Sequence, residues 1–343
     1  MVALIGSALG LTAGAFARAE KHAKKVPGPT VERSVAANPN VTVSVCLVSG
    51  DIKVHGWARN EVRARSNDAD AIEFRRSAGD RESDPAKEIT VLLSHVPAHR
   101  SGSCSTEADI ELDVPRGAIV RLQTRDGDIQ VVDVSTVSAT AQAGDLDLKG
   151  VQRSVEAHTI GGNISLGNST GSAKLSSVGG NIEARGVGPA AAGDNFEAAT
   201  VGGDITLEKT GFGQLNARTI GGALSWSGPL AVGGRYEFKT ISGDISLALP
   251  ADSSFRLDAT LSRGGELVTE FPLRITTAPK GPSSQSSRRR GPPARGDVTI
   301  DPDVLIKGSG YGLQRISGVY GTGDALITAS SFSGAIKLRK KAR

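Results

Sequence analysis

The sequence predicts an all-β protein, specifically a β-solenoid (single-stranded and β-helix-like) with repeats of about 17–23 residues and irregular β caps. The chain has 343 residues, of which 43 are glycine, and each glycine inside a helix costs about 1 kcal/mol relative to alanine. A Gly-Asp or Gly-Asn step recurs along the chain, flanked by alternating apolar and polar residues. The hydrophobic fraction of 38% is sufficient for a packed core.

The repeat is defined by a turn. Seven central copies are spaced by 17, 18, 18, 23, 19 and 21 residues, and single copies stand apart at Gly50 and Gly334. Glycine adopts positive φ at low cost, so we expect these steps to form sharp corners between two strands. The expected turn residues are Gly127, Asp128, Gly144, Asp145, Gly162, Asn163, Gly180, Asn181, Gly203, Asp204, Gly222, Gly243 and Asp244.

A unit of this length buries its apolar face only by stacking on copies of itself. A β-sandwich also has short, regularly spaced strands, but it does not require the same turn residues in every repeat. Stacking predicts two core columns, Ile129/Leu146/Ile164/Ile182/Ile205/Leu224/Ile245 and Val131/Leu148/Leu166/Ala184/Leu207/Trp226/Leu247. It also predicts an outward column, Glu156/Lys174/Glu197/Asn216/Glu237/Arg256, in which the charges largely alternate.

The domain organisation follows from composition. Residues 1–17 are read as a signal peptide, with an apolar run to Ala13 and an Ala15-Phe16-Ala17 cleavage site. No Lys or Arg precedes Arg18, so the positively charged segment usual at the start of a signal peptide is missing. The remaining segments are a linker (18–39), an N-terminal β or capping region (40–126), the solenoid repeats (127–271), a disordered Pro/Ser/Arg-rich insertion (272–296), and C-terminal β repeats with a basic tail (297–343).

The signal peptide predicts export to the periplasm, the cell surface or the exterior, with no transmembrane segment after cleavage. Cys46 and Cys104 are the two cysteines of the chain. In an oxidising compartment they can form a disulfide, and two free thiols are the alternative. The five histidines have no zinc-binding spacing, and the sequence predicts no metal or other cofactor.

Positive charge is concentrated near the C-terminus. Residues 274–343 carry 13 basic and 4 acidic side chains, against 27 and 32 in residues 1–273. A basic patch can bind an anionic envelope polymer, although a solvated loop and tail is the simpler interpretation. Nucleic acid is disfavoured by the export signal and by the lack of interleaved aromatics. The candidate polyanion contacts are Arg288, Arg289, Arg290, Arg295, Lys340 and Lys341.

Signals for catalysis are weak. Gly167-Asn168-Ser169-Thr170-Gly171 matches the G-x-S-x-G pattern, but no helix follows it. The stacked turn carboxylates lack the second Asp of calcium-binding β-rolls. The sequence therefore favours a non-enzymatic structural or interaction module over the alternative, a carbohydrate-active, polysaccharide lyase-like enzyme on a β-helix scaffold.

Several segments together resemble the bacterial DUF4097 β-strand repeat family, whose members are often labelled adhesins. They are Val48–Trp57 with Glu61–Ala64, the step Asp113–Ala118, the Ser-Gly-Asp-Ile and Gly-Gly-Asp-Ile turns, and the closing Gly321–Ile327 and Ser333–Leu338. The resemblance covers roughly residues 40–340 and implies an exported or envelope-associated β-solenoid. It implies no catalytic residues, and the Arg/Pro/Ser insertion inherits nothing from it.

Overall fold

The computed structural model describes residues 30–67, 69–77, 81, 83–94, 104, 107–262, 265–275, 298–300, 304–307 and 314–341. These residues form 28 β-strands and no helix. The strands are β1 (Val31–Cys46), β2 (Ile52–Trp57), β3 (Glu61–Ser66), β4 (Ala71–Arg76), β5 (Ala86–Ser94), β6 (Ile110–Pro115), β7 (Ile119–Asp126), β8 (Ile129–Val132), β9 (Thr136–Ala143), β10 (Leu146–Lys149), β11 (Ser154–Thr159), β12 (Ile164–Gly167), β13 (Ser172–Ser177), β14 (Ile182–Arg185), β15 (Asn195–Ala199), β16 (Ile205–Glu208), β17 (Gln214–Arg218), β18 (Leu224–Ser227), β19 (Arg235–Thr240), β20 (Ile245–Pro250), β21 (Phe255–Leu261), β22 (Glu266–Thr269), β23 (Leu273–Ile275), β24 (Val298–Ile300), β25 (Val304–Lys307), β26 (Gln314–Tyr320), β27 (Ala325–Ser331) and β28 (Ile336–Lys341).

The strands stack into two parallel faces, which confirms the predicted β-solenoid. Each central coil contributes the strand before its Gly corner to one face and the strand after it to the other. We call these faces sheet B and sheet A. Their registers confirm both predicted core columns; Leu146, for example, pairs with Ile129 on one side and Ile164 on the other. The core lies between the two sheets because alternate residues of each strand point inward.

The two ends of the stack are interlocked. The coil β1–β2 lies between β5–β6 and β7–β8, with parallel pairing on both sides. The coil β27–β28 is likewise inserted between β19–β20 and β21–β22. The copies at Gly50 and Gly334 are therefore distant in sequence but continuous with the stack in space.

The inserted coil corrects the predicted outward column. Glu156, Lys174, Glu197, Asn216 and Glu237 are paired in that order, as expected. The next partner of Glu237 is Thr328 on β27. Arg256 instead pairs with Leu326, so its placement in this column was wrong. The sequence order of the repeats could not show that a later strand enters between β19 and β21.

Antiparallel strands border the interlocked coils. β3 and β4 pair with β6 and β5 at one end, whereas β25 and β26 pair with β22 and β21 at the other. β1 is a strand from Val31, within the segment expected to be a linker, because residues 31–36 pair with β3. β23 similarly falls within the expected disordered insertion, where it pairs with β24 and β26. The rest of that insertion, 276–296, and the expected signal peptide lie outside the described residues.

One glycine from each coil stands directly over the glycine of the coil below. A Cβ atom added to any of the upper eight would overlap a carbonyl group of the glycine beneath it; the column is Gly50, Gly127, Gly144, Gly162, Gly180, Gly203, Gly222, Gly243 and Gly334. Only the first three have positive φ, so the expectation of positive φ at Gly162 and beyond was wrong. In those coils glycine is required for space, because neighbouring coils in a β-stack are only about 4.8 Å apart.

The structure joins Cys46, at the end of β1, to Cys104 by a disulfide with Cα atoms 5.0 Å apart. The bond links an interlocked coil to the segment that precedes β6. The two cysteines are 58 residues apart in sequence. Closing a loop of that length restricts the unfolded chain considerably.

Replacing a stacked glycine should be far more damaging than replacing its neighbour. Gly203→Ala forces a methyl group into the Gly180 carbonyl, whereas the same methyl at Gly202 would lie 3.6 Å from the Val178 carbonyl oxygen. We expect Gly203→Ala to lower the free energy of unfolding by about 3 kcal/mol or more and Gly202→Ala by less than about 1 kcal/mol. Urea denaturation of both variants measures this, and equal losses would contradict the close stacking.

Removing the disulfide should destabilise the protein because the unfolded chain gains conformational entropy. For the variant Cys46→Ala/Cys104→Ala we expect a loss of about 4 kcal/mol, the chain-entropy value for a loop of this size. Chemical denaturation gives the difference, and wild type treated with reductant serves as the control. A variant as stable as oxidised wild type would show that the cross-link contributes nothing to stability.

Candidate functional site: two grooves along the solenoid

The predicted turn carboxylates and amides form a column in which each side chain bonds to the next coil. Asp128 Oδ1 accepts the backbone N–H of Asp145, and Asp145 Oδ1 accepts that of Asn163, at 2.8 and 2.7 Å. The same contact recurs at 2.7–2.9 Å through Asp51, Asn163, Asn181, Asp204 and Asp244. Asn163 Nδ2 also donates to Asp145 Oδ1. The side-chain oxygens therefore have a structural role as backbone acceptors.

A second polar column, absent from the sequence predictions, lies inside the same corner. In six coils a buried hydroxyl three residues before the stacked glycine accepts that glycine's N–H and donates to the glycine carbonyl of the adjoining coil. The donated bonds measure 2.9–3.2 Å. The recurring Thr or Ser at this position was the available signal; the residues are Thr159, Ser177, Thr200, Thr219, Thr240 and Ser331.

Ser169, the centre of the G-x-S-x-G match, is a structural residue. It is only 1% exposed. The hydroxyl donates to the Gly167 carbonyl at 2.9 Å and accepts the N–H of Val151 at 3.1 Å. A hydroxyl held in this way between two coils has no access to a substrate.

At the N-terminal end, Asp113 is held in a charged cluster on the outer side of sheet A. The residue is 7% exposed, and its carboxylate accepts two bonds from Arg63, at 2.7 and 3.0 Å, and one from Arg65. The hydrogen bond to Asp113 is the main reason why the pKa of Arg63 is raised. Arg63 also lies over the Trp57 ring. This cluster joins β2, β3 and β6, which gives it a structural role at the end of the stack.

The first surface feature is a groove along the second corner, where sheet A returns to sheet B. It encloses about 660 Å³. Gly and Pro residues form much of its lining, and two lysines from different coils border it. We call this feature the lysine groove; it is lined by Asn168, Ser169, Thr170, Gly186, Val187, Gly188, Lys209, Gly211, Gly228, Pro229, Pro250 and Lys341.

The expected polyanion contacts are only partly within the described residues. Arg288, Arg289, Arg290 and Arg295 lie outside them. Lys341 lines the lysine groove, whereas Lys340 does not. The Lys340 ammonium lies 5.4 Å from the centre of the Phe271 ring, and its backbone N–H donates to Glu270 Oε2.

The second surface feature lies beside the glycine corner. One apolar side chain per coil, 42–60% exposed, points outward and forms a line along the stack. A groove of about 630 Å³ runs between this line and the outer residues of sheet B. The Ile-Gly-Gly and Val-Gly-Gly triplets mark these positions in the sequence, but only the structure shows that their Ile and Val side chains are exposed. We call the line the apolar ridge; it consists of Ile160, Val178, Val201, Ile220, Ile241 and Phe332.

Together, the stacked corners and two parallel faces define a repeat-built β-solenoid. The sequence matches the family model Toastrack DUF4097 over residues 61–287. Because the match spans more than half of the chain, the protein belongs to this family. No protein among the curated ones matches the chain significantly. In the described part of the chain, no helix has the length and apolarity to cross a membrane.

Several solved structures are similar in outline. A candidate adhesin from Parabacteroides distasonis has 12% identity and a TM-score of 0.43, covering 65% of this chain and 91% of its own. One from Parabacteroides merdae has 10% identity and a TM-score of 0.41, with 66% and 92% coverage. One from Bacteroides fragilis has 10% identity and a TM-score of 0.33, with 91% and 98% coverage.

The ion pair between Asp244 and Lys337 should make stability depend on pH. The hydrogen bond from Lys337, followed by the N–H of Ala335, lowers the pKa of Asp244. A lowered folded-state pKa gives stability that is present above the unfolded value of about 3.9 and lost as pH falls through the folded value. At pH 7 we expect the free energy of unfolding of wild type to exceed that of Asp244→Asn by about 0.2–1 kcal/mol, a typical contribution of an exposed ion pair.

Urea denaturation between pH 7 and pH 2 measures this difference. The substituted asparagine would keep an Oδ1 acceptor for the N–H of Ala335, so the comparison isolates the charge. Lys337→Gln should remove the larger part of this pH dependence, because the N–H of Ala335 still donates to the carboxylate. If the difference in free energy of unfolding between wild type and Asp244→Asn stays constant over this pH range, the ion pair is not the source of that difference.

Proposed function

We propose that this protein is a non-enzymatic, adhesin-like interaction module, exported to the cell envelope, that holds an anionic polymer along the lysine groove. One observation carries the proposal: the groove runs along the stack and has lysines at separated positions. Lys341 lies opposite Pro250 in the register of β28 with β20. Lys209 directly follows β16, which is three coils away from β28. Three steps of about 4.8 Å separate these positions by about 14 Å. Such a spacing suits an elongated ligand with repeated negative charges.

The charge of the groove is available to a ligand. Lys209 and Lys341 are exposed, and neither forms an ion pair with another described residue. Arg185, by contrast, is already paired with Glu183 and Glu208. An unpaired ammonium group loses no protein contact when it binds a carboxylate, sulfate or phosphate group.

The remaining lining suits a polymer better than a compact substrate. Asn168 and Thr170 are exposed polar side chains at one end of the groove. Gly186, Gly188 and Gly228 contribute no side chains that would block a chain lying across the coils. The buried Ser169 beneath the groove is engaged by Gly167 and Val151, which supports a binding role over a hydrolytic one.

Polymer binding should depend on the groove lysines. We expect Lys209→Gln/Lys341→Gln to weaken binding to polygalacturonate about two- to thirtyfold, since each exposed ionic contact contributes about 0.2–1 kcal/mol. Affinity electrophoresis at low and physiological salt measures the change. Binding should weaken as salt rises, because exposed charges are screened.

A matched control uses cations that already have acidic neighbours. Lys174→Gln/Lys239→Gln removes the same charge from sheet B, where both lysines adjoin glutamates, and should leave binding unchanged. Equal losses of affinity in the two double variants would show that binding depends on net charge and not on the lysine groove. Release of soluble oligosaccharides from the polymer would overturn the non-enzymatic assignment.

A further inference from the structure

The apolar ridge is a continuous feature with no role in the core. Its six side chains occupy equivalent places in successive coils, so the ridge is about 24 Å long at about 4.8 Å per coil. The largest exposed apolar patch of a typical monomer is itself about 300–600 Å² and is often functional. Backbone groups under the ridge are satisfied, since Gly179 donates to Ile160 and Gly221 to Val201. A partner would therefore meet side chains, not an open strand edge.

Next to the ridge runs a strip that the fold does not require to be glycine. Gly161, Gly179, Gly202 and Gly221 do not have positive φ, and an added Cβ would meet nothing closer than 3.4 Å. In the next two coils the same place is taken by Ser242 and Ser333. The absence of side chains in the glycine part of the strip leaves the adjoining ridge accessible from that side.

On its other side the ridge borders a groove without unbalanced charge. Ser176, Ala199 and Ser330 are the small side chains in the outer row of the groove. Its cations already have partners: Arg218 is paired with Glu197 at 3.1 Å, and Lys239 with Glu237. A polyanion gains little from such a face, whereas a second copy of the same neutral face is not repelled.

We propose that the apolar ridge is a self-association surface and that its partner is a second copy of this chain. A two-fold interface must be self-complementary, and a ridge beside a groove of similar axial extent meets this condition. An axis parallel to the stack allows each ridge to enter the other copy's groove with equivalent coils side by side. The coil spacing also matches automatically, because both copies have the same backbone repeat; an unrelated partner would have to match it by its own side chains.

The expected dimer is weak. The ridge is only one side chain wide, so its contact is expected to be smaller than the about 800 Å² per partner of a standard interface. We therefore expect a dissociation constant on the order of 100 µM for the full chain. Sedimentation velocity from about 10 µM to about 1 mM should show a reversible shift from monomer to dimer that persists at high salt, because apolar contacts are not screened as exposed ion pairs are.

Charged substitutions test the contact. Ile220→Asp/Ile241→Asp places carboxylates at the fourth and fifth of the six ridge positions and should abolish the dimer, with thermal unfolding confirming that the variant is folded. The control is Val232→Asp, which changes a side chain that is 89% exposed but not part of the ridge; it should dimerise like wild type. A wild type that stays monomeric at 1 mM, a ridge variant that still dimerises, or a control that does not would each overturn the proposal.

Discussion

The close stacking of one glycine per coil is the constraint on which the rest of the structure depends. Parallel coils can hydrogen-bond only at the β spacing of about 4.8 Å, and at the glycine corner this leaves no room for a Cβ. Where the chain turns there, Gly162 or Gly203 lies against the carbonyl group of the preceding coil. Alignment of this position therefore brings every flanking strand into register, and with it the two core columns.

The polar residues of the corner follow from the same stacking. A tight corner leaves backbone N–H and carbonyl groups that no strand partner can satisfy, and buried groups of this kind must be paired. Thr219 pairs the Gly222 N–H with the Gly203 carbonyl, while Asp204 reaches the N–H of Ala223. The stacked turn carboxylates are thus explained as acceptors for backbone N–H groups. The part of the chain that the structure describes contains no cluster of three His, Cys, Asp or Glu side chains able to hold a metal.

Potential for interaction remains at positions that the stack leaves free. The second corner varies in length and sequence between coils, so it can form a groove with exposed Lys209 and Lys341. Beside the first corner, the apolar ridge repeats with the coil and produces a face of constant pitch. A repeat scaffold therefore supports two different kinds of surface: a charged groove for an extended ligand and a neutral apolar line that matches its own copy.

Local sequence determined the strand alternation, the corner positions and both core columns, because side-chain period and backbone stacking are short-range properties of each repeat. Only the tertiary structure decided how the ends close, since strand order in a sheet need not follow chain order. β27 enters between β19 and β21, and the register through it places Asp258, not Arg256, in the outward column. Exposure of Ile220 and its neighbours was likewise a tertiary property: an apolar residue beside a turn has the same identity whether it points into the core or away from it.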